Sequence, residues 1–333
     1  MVKTLKSLPL QSAFLQKLKE VLPPNLALAE EIADVLGIST DSAYRRIRCE
    51  TDLSIDEVYK ITKKYSLSLD GVFSNLGDTV TFTYTKLTDN ADNFEKYLNR
   101  IYGHVKAINT FPEKKITYIA EEVPIFYSFF SDKLTQFKLF YWQRSVLNIP
   151  LYQGKKFEFG LIPQAQVDVA LNAFKEYRSI PSVEVWTNET IHTVLKQVEF
   201  YTESGAFQNK SDALEVLGEI KIMAAYLEQC AETGRKEVSS PTENLAMYCS
   251  DVVLGTNCIY INTGPSKYAY ITFNSLNSLT TNNQEFCEET EHWVKNIVKK
   301  SSLISGVGEK QRFKFFSQMN KMIDACYERV SML

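Results

Sequence analysis

Gly37 constrains this chain more than any other single residue. It closes the run LAEEIADVL and precedes ISTDSAYRRIR, and both flanks carry helical spacing. In the first flank Leu28, Ile32, Val35 and Leu36 fall on one side of a helix over 26–36. Glycine enters the left-handed conformation that ends a helix without steric cost. Ser39 then supplies a hydroxyl to cap another helix, running from about Thr40 to Cys49. Within it only Ala43 and Ile47 can point inward, so most of that helix is left for solvent or for a partner.

Two further helices frame this pair. Leu10, Phe14, Leu15, Leu18 and Leu22 make one face of a helix over 8–22, stopped by Pro23-Pro24. Ser54 and Glu57 have the S-x-x-E spacing of a capping box, opening a helix that buries Ile55, Val58, Tyr59 and Ile61 or Thr62. A short closing turn is expected over 68–73. Two helices joined by a tight glycine turn, the second mostly exposed, is the helix-turn-helix arrangement. Ala33 suits it, because a large side chain there would push the crossing helices apart.

The segments EIADVLGIS, AYRRIRCET and LSIDEVYKITKKYSLSLD together resemble the DNA-binding domain of lambda-repressor-like (Cro/C1-type, XRE) regulators, over roughly residues 8–77. Cys49 departs from the pattern, at a place often held by glycine. The resemblance implies that the helix from Thr40 enters the major groove of double-stranded DNA. Thr40, Asp41, Tyr44 and Arg45 would then face base edges, with Ser39 and Ser42 on phosphates and Arg48 reaching backbone. Arg45 is the first candidate for a base contact, since a guanidinium can grip guanine O6 and N7 together. Asp41 has two readings, a base reader or a partner for the helix dipole. Arg46 is expected to lie along the helix and pair with Glu50, four residues on.

Bulk charge gives no help to this reading. Residues 1–77 hold ten basic and ten acidic side chains, so the whole net charge of −3 resides on the remainder. Nucleic-acid binding must come from local placement of arginines. The six cysteines include no CxxC pair, which suits neither a zinc ribbon nor a disulfide framework. No apolar run approaches the ~18 residues of a membrane span, and the first residues lack the apolar core of a signal peptide. A soluble, cytoplasmic protein without membrane partners is expected.

From Asp78 the texture changes to a mixture of strand and helix patterns. Strands are expected at 79–87, 114–120, in KKFEFGLIP, at 183–187, and in LAMYCSDVVLG, NCIYINTG and KYAYITFN; the last two are joined by the turn Asn262-Thr263-Gly264-Pro265. Helices are expected at 90–110, 164–178, 188–204 and 211–233. Another starts near 283 and is capped by Asn282. The last is striped by Phe313, Phe316, Met319, Ile323, Cys326 and Val330. The stretch 121–148 reads as helical and aromatic throughout, with Leu134, Phe137, Phe140, Tyr141 and Leu147 on one face.

No catalytic constellation accompanies these patterns. His104, His192 and His292 stand outside any HExxH, no P-loop or GxSxG occurs, and no metal or cofactor set is expected. The aromatic stretch 126–142 leaves two readings open. It packs the core, or it lines a small-molecule pocket with Tyr127, Tyr141, Trp142 and Arg144 as polar handles.

The expected fold class is therefore α+β. An all-α lambda-repressor-like helix-turn-helix domain (1–77) precedes a mixed α/β effector-binding or dimerisation domain (78–333). The expected function is sequence-specific transcription regulation by a homodimer that responds to a small-molecule or protein effector. An enzyme tethered to DNA and a protein-interaction scaffold are the alternatives.

Overall fold

The computed structural model describes residues 10–22, 26–65, 67, 79–237, 240–252 and 254–333. The chain divides into two compact units, Met1–Phe82 and Thr83–Leu333. The first is helical and the second mixed, which makes the class α+β. Among the described residues no helix is long and apolar enough to cross a membrane.

In the first unit, α1 (Leu10–Val21), α2 (Leu28–Leu36), α3 (Thr40–Ile47) and α4 (Ile55–Tyr65) enclose one core. That core joins Phe14, Leu15, Leu18, Leu22, Ile32, Ala43 and Ile61. Gly37 ends α2 at φ +67°, and its N–H returns to the Ala33 carbonyl. Nothing stands near a Cβ built there, so it is the left-handed backbone, not space, that calls for glycine. The Ser39 hydroxyl accepts the Ser42 N–H as the N-cap of α3. Ser54 and Glu57 cap α4 reciprocally, each side chain accepting the other's backbone N–H.

Two expectations for this unit need correcting. Ile55 and Tyr59 are exposed, at 87% and 60%, and α4 instead turns Val58, Ile61, Thr62 and Tyr65 inward. Leu10, the first residue of α1, is exposed as well. The expected turn over 68–73 and the Pro23-Pro24 stop lie outside the described residues.

The second unit is built on one mixed sheet. Its strands are β1 (Lys115–Ile119), β2 (Ser182–Trp186), β3 (Leu245–Cys249), β4 (Cys258–Asn262), β5 (Lys267–Phe273), β6 (Asn277–Thr281) and β7 (Ser302–Leu303). They lie in the order β6-β5-β4-β1-β2-β3-β7. β1, β2 and β3 run parallel, and the other pairings are antiparallel. Alternation along the strands divides two cores. Ile116, Tyr118, Trp186, Met247 and Ile261 face one side. Ile119, Val185, Cys258, Tyr260 and Ala269 face the other, beneath Cys287, Val294 and Ile297 of α10 (Gln284–Lys300). The larger core is filled by α5 (Ala91–Asn109), α6 (Asp132–Tyr141), α7 (Gln164–Ser179), α8 (His192–Glu203), α9 (Lys210–Thr233) and α11 (Glu309–Met332).

Several sequence expectations give way here. Residues 79–87 form no strand; Thr83 alone pairs, with Thr280 on the edge strand β6. KKFEFGLIP contributes a single bridge, Phe157 to Phe207, because Gly154 and Gly160 turn the chain at φ +70° and +87°. The stretch 121–148 is not one helix. A 3-10 turn over Ile125–Phe129 precedes α6, Ser131 is extended and caps α6, and a wider π turn follows over Trp142–Val146. α6 is buried nearly all round, from Leu134 to Phe140, not along one face. Asn283, one residue beyond the expected Asn282, caps α10. Phe313 is exposed, whereas Phe316, Met319, Ile323, Cys326 and Val330 do stripe α11 inward. β6, sequence NSLTT, went unforeseen.

Candidate functional site

Two places gather chemistry, the outer face of α3 and a cavity in the second unit. On α3, Thr40, Asp41, Tyr44, Arg45 and Arg48 are exposed, while Ala43 is wholly buried. Asp41, Tyr44, Arg45 and Arg48 follow i, i+3, i+4, i+7 spacing and therefore share one side of the helix. Ser39 is exposed and Ser42 half-buried, their hydroxyls 3.0 Å apart.

Polar bonds lock the helix behind that face. The Gln11 amide of α1 donates to the carbonyls of Arg46 and Thr51, both at 2.8 Å. Its oxygen accepts the Leu53 N–H at 2.8 Å, so one side chain fixes both ends of the turn leaving α3. Arg46 does not pair with Glu50 as its spacing suggested. It reaches across to α4 and donates to both carboxylate oxygens of Glu57, at 2.7 and 3.3 Å. That hydrogen bond holds the Glu57 carboxyl below its ordinary range. Glu50 is taken by Arg48 instead, 2.7 Å away and open to solvent on both sides. A surface pair of this kind, with both partners in solvent, contributes little to stability. Arg45 makes no side-chain hydrogen bond or ion pair among the described residues. Cys49 sits at φ +56°, the left-handed position where glycine was expected, and lets the chain turn sharply after α3.

In the second unit a cavity of about 180 Å³ opens between α5 and the antiparallel half of the sheet. One side of α5 supplies Tyr97, Arg100, Ile101, His104, Val105 and Ile108, at three- and four-residue intervals. Alternate residues of the strands oppose them, among them Ile116 and Tyr118 of β1 and Ile259 and Ile261 of β4. Residues 83–85 complete the wall. Thr83 and Thr280 exchange two backbone bonds of 2.8 Å, and the Thr85 carbonyl accepts the Asn277 amide at 2.6 Å.

Four ionisable residues besides tyrosines line this space. Lys138 is buried, its ammonium donating to Gln197 Oε1 at 2.7 Å and lying 5.1 Å from the centre of the Trp142 ring. Burial pulls its pKa down to about 8, against an opposing pull from Glu122. Burial raises the Glu122 carboxyl above its ordinary value. Partial burial, and then Arg100, hold the His104 imidazole low. Arg100 donates to Thr85 Oγ1 at 3.0 Å.

Of the four residues read from the aromatic stretch, Trp142 alone lines the cavity. Tyr127 is fully buried elsewhere and donates to Glu184 at 2.9 Å, in a closed cluster with Tyr177, Ser182 and Trp186. Arg144 lies over the Tyr201 ring, and Tyr141 packs beside Phe137 and Tyr201. Lys138 and Glu122 went unread in the sequence. The available signal was a lysine inside TQFKLF, where every neighbour belongs to a buried helix. Comparison of the chain with models of protein families, with curated proteins and with solved structures gave no match.

Proposed function

We propose that the chain is a sequence-specific DNA-binding transcription regulator. On this reading α2 and α3 are the two helices of a helix-turn-helix, and α3 enters the major groove. The observation that carries the reading is the division of α3. Its inner side is fixed by Ala43, Arg46 and Gln11, while Thr40, Asp41, Tyr44, Arg45 and Arg48 stand outward together. Arg45, whose guanidinium makes no hydrogen bond among the described residues, reads a guanine; Arg48 exchanges Glu50 for a phosphate. Ser39, which caps the helix, and Ser42, whose hydroxyl meets that of Ser39, serve its phosphate side.

One such unit touches few bases, so useful affinity calls for a homodimer on half-sites about 34 Å apart. Residues 83–333 then act as the sensory and dimerisation part in the cytoplasm. The enzyme alternative draws some support from Glu122, Lys138 and His104 sharing one cavity. Glu122 and Lys138 act on each other through the field, without a hydrogen bond or ion pair among the described residues, and the sensor is the reading carried forward. Selection of duplexes from a random pool, followed by titration of the winners over a range of salt, tests the proposal. A selected sequence held well above random DNA, with affinity falling steeply in salt, is the expected result. Equal binding to every duplex overturns it.

A further inference from the structure

We propose that the cavity between α5 and β1-β4-β5-β6 binds a small organic monocarboxylate, its carboxylate on the ammonium of Lys138 and its apolar body against Ile101, Val105, Ile259 and Ile261. The inference rests on the sensory role assigned to residues 83–333 and supplies the chemistry of the effector.

Charge selects the sign of the ligand. Arg100 and Lys138 are the cations of the wall, Glu122 its one acid, and His104 is held toward its neutral form. The wall is net positive whether Glu122 is ionised or protonated. Lys138 is 5% exposed, and its hydrogen-bond partner among the described residues is a neutral amide; Glu122 of the same wall acts on it through the field and not through a hydrogen bond, leaving N–H bonds for an incoming acceptor. A buried cation so placed favours a carboxylate over a neutral or cationic group of the same shape, because its free N–H bonds gain a charged acceptor. Trp142, beneath the ammonium, keeps one side of the head-group region dry and flat.

Size and lining set the smallest body that fits. At 180 Å³ the cavity has room for several waters or for a body of at least one aromatic ring. A ring or a short aliphatic chain bearing one carboxylate meets the aliphatic residues and the buried cation together. Aliphatic residues on facing α5 and β4 give such a body two apolar walls.

The test is calorimetric titration of the full-length protein with benzoate, hexanoate, benzyl alcohol and benzylamine. At least one carboxylate is expected to bind at millimolar concentration, about tenfold or more tighter than the alcohol, with benzylamine weakest. Lys138→Met, which keeps the unbranched side chain out to Cε and removes the ammonium, should remove that advantage. Should Lys138→Met fail to fold, Ile101→Trp fills the space instead and is expected to abolish binding of every probe. No binding by either carboxylate, or binding of the alcohol or the amine as tight as theirs, overturns the inference. DNA binding is measured on the same preparation, so a failure here with selective DNA binding intact condemns the ligand assignment alone.

Discussion

α3 and α6 are helices of similar length put to opposite use. α3 turns one small apolar side inward and leaves Tyr44, Arg45 and Arg48 in solvent. α6 is enclosed nearly all round from Leu134 to Phe140, and Lys138 is enclosed with it. A cation on α3 keeps its water until a partner displaces it, so its position costs little. Lys138 has already lost its water, and burial lowers its pKa to about 8. The difference teaches where specificity can be held. An exposed arginine needs a rigid helix behind it, which Gln11 and the Arg46–Glu57 pair supply. A buried lysine needs only a cavity.

The largest expected effect is on the enclosed side of this comparison. Phe137 packs against Phe157, Tyr201 and Phe207, and Phe137→Ala should destabilise the chain by ~3–5 kcal/mol in denaturant unfolding. A loss below 1 kcal/mol would mean that α6 is not the packed helix described. On the α3 side, Gln11→Ala strands the Leu53 N–H and two carbonyls. It should cost ~1–3 kcal/mol and weaken the proposed DNA binding although Gln11 lies behind the outer face of α3. Arg46→Lys keeps the charge but loses the forked contact with Glu57, and a drop of about 1 kcal/mol in stability is expected.

A further effect is on pH dependence. Lys138 has a folded pKa near 8 against an ordinary 10.5, so the unfolded chain binds more protons between those values. Its contribution is thus unfavourable and constant below pH 8, and it relaxes as pH rises toward 10.5. The buried tyrosines titrate in the opposite sense at the upper end, so the wild type is compared with Lys138→Met. The stability of the wild type relative to Lys138→Met should rise as pH rises through this window. A difference between the two that does not change with pH contradicts the burial of a charged Lys138.

What was legible in the sequence was local. Gly37, Ser39 and the Ser54/Glu57 pair act within four residues, and α2, α3 and α4 form where they indicate. The Asn262–Pro265 turn likewise joins β4 to β5. What was misread depends on partners far along the chain. Residues 79–87 alternate like a strand, yet they meet the sheet edge only at Thr83, through Thr280. β6 is polar and became a strand because β5 pairs with it. Gln11 acts on residues 35 to 42 positions away, and nothing near it in sequence marks it. The cavity was half-seen. Aromatic density pointed to Trp142, but the charged residues around it lie on α5, on the segment after β1 and on α6, brought together by the fold.

The central claim stands on Arg45, and a paired measurement tests it most directly. The full-length protein, Arg45→Ala and Arg48→Ala are each titrated with the selected duplex and with the same duplex changed at its guanines. Arg45→Ala should lose ~1–3 kcal/mol on the selected site and discriminate less between the two duplexes. Arg48→Ala should weaken both by a similar factor and shallow the salt dependence. Undiminished binding and undiminished discrimination by Arg45→Ala would contradict the account.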